Sequence, residues 1–85
     1  MPLIDDFNAA QAQAKTLTTR PSNDALLALY ALYKQATVGD NANKRPGMLD
    51  LAGRAKHDAW AAQKGKSKDA SMSGYVALVA GLLKA

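Results

Sequence analysis

A chain of 85 residues without cysteine has room for one small core, and it excludes disulfides, thiolate nucleophiles and thiolate metal sites. Eleven Lys and Arg face seven Asp and no Glu, giving a net charge of +4 and a sequence pI near 9.6. That balance favours an anionic partner, but nucleic acid, a membrane surface and a phosphorylated small molecule all qualify.

The cations are scattered rather than blocked, which weighs against a nucleic-acid tail. Met1 to Asp6 carries two acids and no basic segment leading into an apolar run, so no secretory signal is expected. No apolar stretch approaches the roughly 20 residues that cross a bilayer. The expectation is one domain over residues 1–85, cytoplasmic and monomeric, too small to wrap two substrates.

Leu3, Phe7, Ala10, Ala14 and Leu17 recur every three or four positions and predict a first amphipathic helix. Asp5 and Asp6 complement the dipole of its first turn, and Pro21 forbids simple continuation. Ser22 is a good N-cap for a second helix from Asn23 to Val38, with Asp24 in its first turn. Leu26, Leu29, Tyr30 and Tyr33 share one of its faces, and Leu27 and Leu32 widen the apolar arc. Gly39 stands where a left-handed terminating residue belongs.

Residues 39–47 are polar and punctuated by Gly39, Pro46 and Gly47, hence loop. Asp50 caps a third helix reaching to about Lys64, with Leu51, Ala55, Ala59 and Ala62 on its inner face, and Gly65 closes it. Ser67 caps a fourth, in which Met72, Tyr75, Val76, Val79, Leu82 and Leu83 form the clearest stripe in the chain. No strand alternation and no internal repeat appear. Four helices with one long connection make an all-α bundle.

Nucleophilic catalysis has little to work with. His57 is the only histidine, and Asp58 beside it projects about 100° away on a helix, too far round to orient it. Scattered Asp residues at non-matching spacings build no metal site. The chain is therefore expected to be no enzyme and to need no cofactor.

Tyr30, Tyr33 and Lys34, spaced i, i+3 and i+4, offer a ring for stacking, hydroxyl donors and a cation. That is a kit for a phosphorylated nucleotide. Spacing alone favours a plainer reading, with both rings in the core and Lys34 solvated. Lys56 and Trp60 form an i, i+4 pair, with Trp60 expected in the core and Lys56, taken alone, a solvated charge. Lys44, Arg45, Arg54, Lys64, Lys66 and Lys68 carry no pattern beyond solubility.

Tyr30, Tyr33–Asp40 (YKQATVGD), Arg45–Asp50 (RPGMLD) and Gly53–Trp60 (GRAKHDAW) resemble, in order and spacing, the acyl-CoA-binding proteins. Lys64, Gly65, Ser67, Lys68 and Tyr75 continue the pattern. The resemblance implies a skewed up-down-down-up four-helix bundle with a ligand bowl between helices. It implies a non-catalytic intracellular carrier or buffer of medium- to long-chain acyl-CoA thioesters.

It also assigns the coenzyme A head group to Lys15, Tyr30, Tyr33, Lys34, Lys56 and Tyr75. Tyr33 would stack on adenine, Lys34 and Lys56 would pair with the ribose 3′-phosphate, and Tyr30 would donate its hydroxyl. Phe7, Leu17, Leu26, Leu27 and Met48 are weaker candidates for the acyl groove. Two positions depart from the family pattern: Ala52, where a basic residue is common, and His57, where a second tryptophan is common.

Transient contact with membranes or with acyl-CoA-using enzymes is a further expectation, and nucleic acid is not an expected ligand. Two rival classes follow from charge alone: a helical nucleic-acid-binding module and a basic interaction domain docking on an acidic protein. Both require the motif match to be coincidence.

Overall fold

A computed structural model describes residues 3–84; Met1, Pro2 and Ala85, which the expected domain 1–85 includes, lie outside the described residues. Four helices follow in order: α1 (Leu3–Ala14), α2 (Asn23–Thr37), α3 (Leu51–Ala61) and α4 (Lys68–Lys84). No strand is present among the described residues. The capping residues read from the sequence hold their positions. The Ser22 hydroxyl accepts from the Ala25 amide at 3.1 Å, Asp50 Oδ1 from Gly53 at 2.9 Å, and Ser67 Oγ from Ala70 at 3.0 Å. Gly39 and Gly65 end their segments at φ 100° and 89°, the left-handed region open to glycine.

α4 packs on both α1 and α2, and α2 carries α3 on its other flank. The core lies at the first of these junctions, where Phe7, Ala10, Leu29, Leu32, Ala36, Tyr75 and Val79 form one buried cluster. Met72, Val76 and Leu82 of the α4 stripe pack against it, while Leu83 faces solvent.

The topology is up-down-down-up, so α2 and α3 run parallel as neighbours, and their connection must return along the whole length of a helix. α2 has 15 residues, about 22 Å at 1.5 Å per residue. Residues 38–50 can span about 40 Å when extended, so the loop is long enough to come back. On its way it runs antiparallel to α3 and bonds to it repeatedly. The Trp60 indole N–H donates to Gly39 O at 2.8 Å, and the Asn41 amide donates to His57 O at 3.3 Å. His57 Nε2 meets Asn43 O at 2.9 Å, and Arg45 grips Asp58 in a bidentate pair at 3.0 and 2.8 Å.

A second knot ties the C-terminal ends of α2 and α3 together. Buried Gln35 donates from Nε2 to Asp40 Oδ1 at 2.7 Å and to Lys66 O at 2.9 Å, and Asp40 Oδ1 also accepts from the Gly65 amide at 2.9 Å. The carbonyl oxygen of Gln35 is buried without a partner.

Two expectations about α3 need correction. It ends at Ala61, not near Lys64, because Gln63 and Lys64 bond back three residues to Trp60 and Ala61, tightening the chain into turns before Gly65. Its inner face is also not the alanine stripe. Leu51 and Ala62 are exposed, Ala55 and Ala59 half-buried, and Trp60 is the one fully buried residue of the helix. A tryptophan covers more area than several alanines, so the helix rotates to bury it.

Hydrogen bonds from Gly65 and Gln35 hold the Asp40 carboxyl below the usual carboxylate range, and the Arg45 guanidinium does the same for Asp58. A folded-state value below the unfolded one stabilises the fold above about pH 4 and ceases to do so as pH falls through the folded value. Asp40→Asn is therefore expected to be less stable than the parent at neutral pH. Its loss of stability below pH 4 should be shallower, with Asp58 supplying what remains. Urea midpoints measured from acid to neutral pH test this; parallel curves would remove Asp40 from the account.

Candidate functional site

The parallel pairing of α2 and α3 brings together side chains that lie far apart in sequence. Tyr30 and Lys34 are one turn apart on α2, and Lys56 and Trp60 one turn apart on α3. Lys34 Nζ lies 5.9 Å from the Tyr30 ring centre and 5.6 Å from that of Trp60. Lys56 Nζ approaches the Tyr30 ring from α3 at 5.6 Å. Two ammonium groups thus share one aromatic ring, each attracted by its π-face.

Neither lysine has a carboxylate within ion-pair distance among the described residues, since Arg45 and His57 are the only bases there that meet one. Two cations gathered without a counter-charge form a site for a doubly charged anion such as a phosphate monoester.

Cavities open on both sides of this pair. One of about 390 Å³ is largely apolar, lined by Leu26, Leu27, Ala52 and Ala55, with Arg20 and Asn23 also on its wall. The other, of about 300 Å³, is lined by Asn41, Asn43, Lys44, Pro46, Gly53, His57 and Trp60. Tyr30 and Lys56 belong to both. An apolar hollow and a polar hollow sharing a cationic divide suit an amphiphile whose charged group lies next to its hydrocarbon part.

Tyr33 lies beside this arrangement and corrects the core reading of both tyrosines. Its residue is 38% exposed, so one face of the ring is supported and much of it is open. The support is Phe7 of α1, stacked at 6.1 Å with planes 26° apart; Phe7 in turn meets Tyr75 of α4 edge-on at 5.1 Å. Tyr30 is half-buried rather than core. Burial of Tyr75, with the nearby Tyr33 phenol adding a smaller effect, raises its pKa above the ordinary 10, so its hydroxyl keeps its proton at neutral pH.

The other candidates separate. Leu26 and Leu27 line the apolar cavity, whereas Phe7 is a core residue, only 2% exposed. Leu17 lies against Leu82 near the C-terminal end of α4, where it lines smaller hollows. Met48 projects into solvent at the turn before α3. Lys15 is exposed in the turn that ends α1 and lines neither cavity between α2 and α3.

Sequence reasoning gave no role to Asn43 and Lys44, because a loop has no periodicity to reveal its facing. Ala52, Ala55 and Lys56 could have been found by their i, i+3, i+4 spacing. His57 also differs from expectation: its Nδ1 comes within 3.4 Å of Asp58 Oδ1. That contact is long, and Arg45 already holds the same carboxylate.

Phe7→Ala empties the middle of the aromatic stack and is expected to cost about 3–5 kcal/mol in denaturant unfolding. Tyr33→Ala, taken from the open end, should cost clearly less and leave the helical circular dichroism unchanged. Equal losses would return Tyr33 to the core. In an ultraviolet pH titration, one phenol should ionise above pH 10 and vanish in Tyr75→Phe.

A family model described as Acyl CoA binding protein matches residues 5–79. A Drosophila melanogaster protein named acyl-CoA-binding protein homolog is 54% identical over 79 residues, covering 93% of this chain and 92% of that protein. The Caenorhabditis elegans acyl-CoA-binding protein homolog 1 is 57% identical over 77 residues, covering 91% and 90%. The crystal structure of Oryza sativa acyl-CoA-binding protein 2 matches with a TM-score of 0.93 at 46% identity, covering 98% of this chain and 92% of that one.

Proposed function

This chain belongs to the acyl-CoA-binding protein family, and from that premise we propose that its 85 residues form one domain that binds medium- to long-chain acyl-CoA thioesters. It carries or buffers them inside the cell and leaves them chemically unchanged. The observation that carries the reading is the pair of uncompensated lysines around Tyr30, set between an apolar and a polar cavity.

In this reading Lys34 and Lys56 pair with the ribose 3′-phosphate, and Tyr30 donates its hydroxyl beside them. The open face of Tyr33 takes the adenine, with Phe7 supporting the ring from behind. Tyr75 contacts the ligand from α4 as a neutral phenol, and Lys15 adds a charge from the end of α1. The acyl chain enters between Leu26 and Leu27 on one side and Ala52 and Ala55 on the other. Leu17 and Met48 are candidates for its outer reach. The small Ala52 removes one basic contact and leaves that wall apolar. His57 and Asn43 replace an aromatic surface near Lys56 with a polar one. A cytoplasmic, monomeric protein that meets membranes or acyl-CoA-using enzymes transiently completes the reading.

Magnitudes divide the work. A stacked adenine contributes roughly 1–3 kcal/mol, and each charged hydrogen bond to phosphate about 1.5–3 kcal/mol. Buried methylenes give about 0.8 kcal/mol apiece, so ten contribute on the order of 8 kcal/mol before ordering costs. The head group fixes orientation, and the tail supplies much of the affinity.

Calorimetric titration should show palmitoyl-CoA binding far more tightly than free CoA or free palmitate, with affinity rising with acyl length and then levelling. No binding of the thioester by folded protein would overturn the proposal. Lys34→Ala and Lys56→Ala should each weaken binding by about 10- to 100-fold and flatten its dependence on salt. Neither substitution should lower the melting temperature of the ligand-free protein, because each relieves repulsion at a site lacking a carboxylate. A lowered melting temperature with unchanged affinity would make these lysines structural.

A further inference from the structure

Seven large apolar residues are exposed among those described, and three of them fall within four consecutive positions: Met48 at 80%, Leu49 at 100% and Leu51 at 76%. Single exposed apolar side chains are ordinary, but a run of them at one point needs an account. The backbone beneath is fixed. The Asp50 amide donates to Gly47 O at 3.0 Å, closing the turn, and the Asp50 side chain caps α3. Met48, Leu49 and Leu51 therefore form a held protrusion at the N-terminal tip of α3. Ala52, the next residue, lines the apolar cavity.

Charge around the tip is positive. Lys44, Arg45, Arg54 and Lys56 lie between positions 44 and 58, against Asp50 and Asp58. Asp50 is occupied by its capping bond and Asp58 by Arg45. From an apolar convex tip within a cationic surround, we infer that this end of α3 docks on an anionic lipid surface and inserts Met48, Leu49 and Leu51 below the headgroups. The tip offers far less area than the roughly 800 Å² per partner of a stable protein interface. A lipid interface needs no matching contour, and it combines apolar insertion with attraction of cations to anionic headgroups. This goes beyond ligand binding: it assigns the face that meets the membrane, beside the mouth through which an acyl chain would pass.

The test is co-sedimentation of the full chain with ligand-free vesicles, pure phosphatidylcholine or equimolar phosphatidylcholine and phosphatidylglycerol. The parent protein should partition onto the mixed vesicles more strongly than onto the neutral ones. L49S/L51S should lower that partitioning by about tenfold or more, and R54Q should lower it on mixed vesicles only. Both variants should keep the parent's helical circular dichroism and its affinity for palmitoyl-CoA in solution. Equal partitioning of parent and L49S/L51S would overturn the proposal. So would absence of the parent from mixed vesicles, which would leave the tip to a protein partner. Because no acyl-CoA is present, these outcomes are independent of the ligand proposal.

Discussion

The site depends on one constraint, the parallel packing of α2 against α3. Parallel neighbours cannot be joined by a tight turn, so the chain commits residues 38–50 to a return path and must then fasten it down. Gln35, Asp40 and the Gly65 amide fasten its beginning; Trp60 on Gly39 and Arg45 on Asp58 fasten its course along α3. With that register set, Lys34 and Lys56 both reach the Tyr30 ring. An antiparallel α3 would carry Lys56 and Trp60 in the opposite direction past α2, and the two ammonium groups would not meet there.

The same fastening explains why the lysines stay uncompensated in so polar a region. Three acids lie on the loop and α3, and each is already engaged. Asp40 serves Gln35 and Gly65, Asp50 the first turn of α3, and Asp58 Arg45. Structural bonds take up the nearby carboxylates, and the charge left over belongs to Lys34, Lys56 and Lys44. Stability and ligand recognition thus draw on separate charges within a few turns of each other.

Anchoring across the bundle is uneven. α4 is sandwiched against α1 and α2 with Ser71, Tyr75 and Val79 buried, whereas α3 buries Trp60 alone and rests on α2. Hydrogen bonds from the loop replace the apolar contacts that α3 lacks. A ligand held between α2 and α3 would contribute its binding free energy to the least anchored helix of the four.

The sequence by itself determined what depends on neighbours a few residues away. Ser22, Asp50 and Ser67 as caps, Gly39 and Gly65 as terminators, and the α4 stripe around Tyr75 and Val79 all act within one or two turns. The motif blocks carried the family as well, because their order and spacing are properties of the chain. Tertiary structure decided which face of α3 turned inward, and there one tryptophan outweighed a row of alanines. It left Tyr33 open by stacking only one side of its ring on Phe7. It paired Arg45 with Asp58, and it set Asn43 and Lys44 around Lys56 from a loop without periodicity. Those outcomes depend on competition for burial between segments distant in sequence, and local propensity carries no record of that competition.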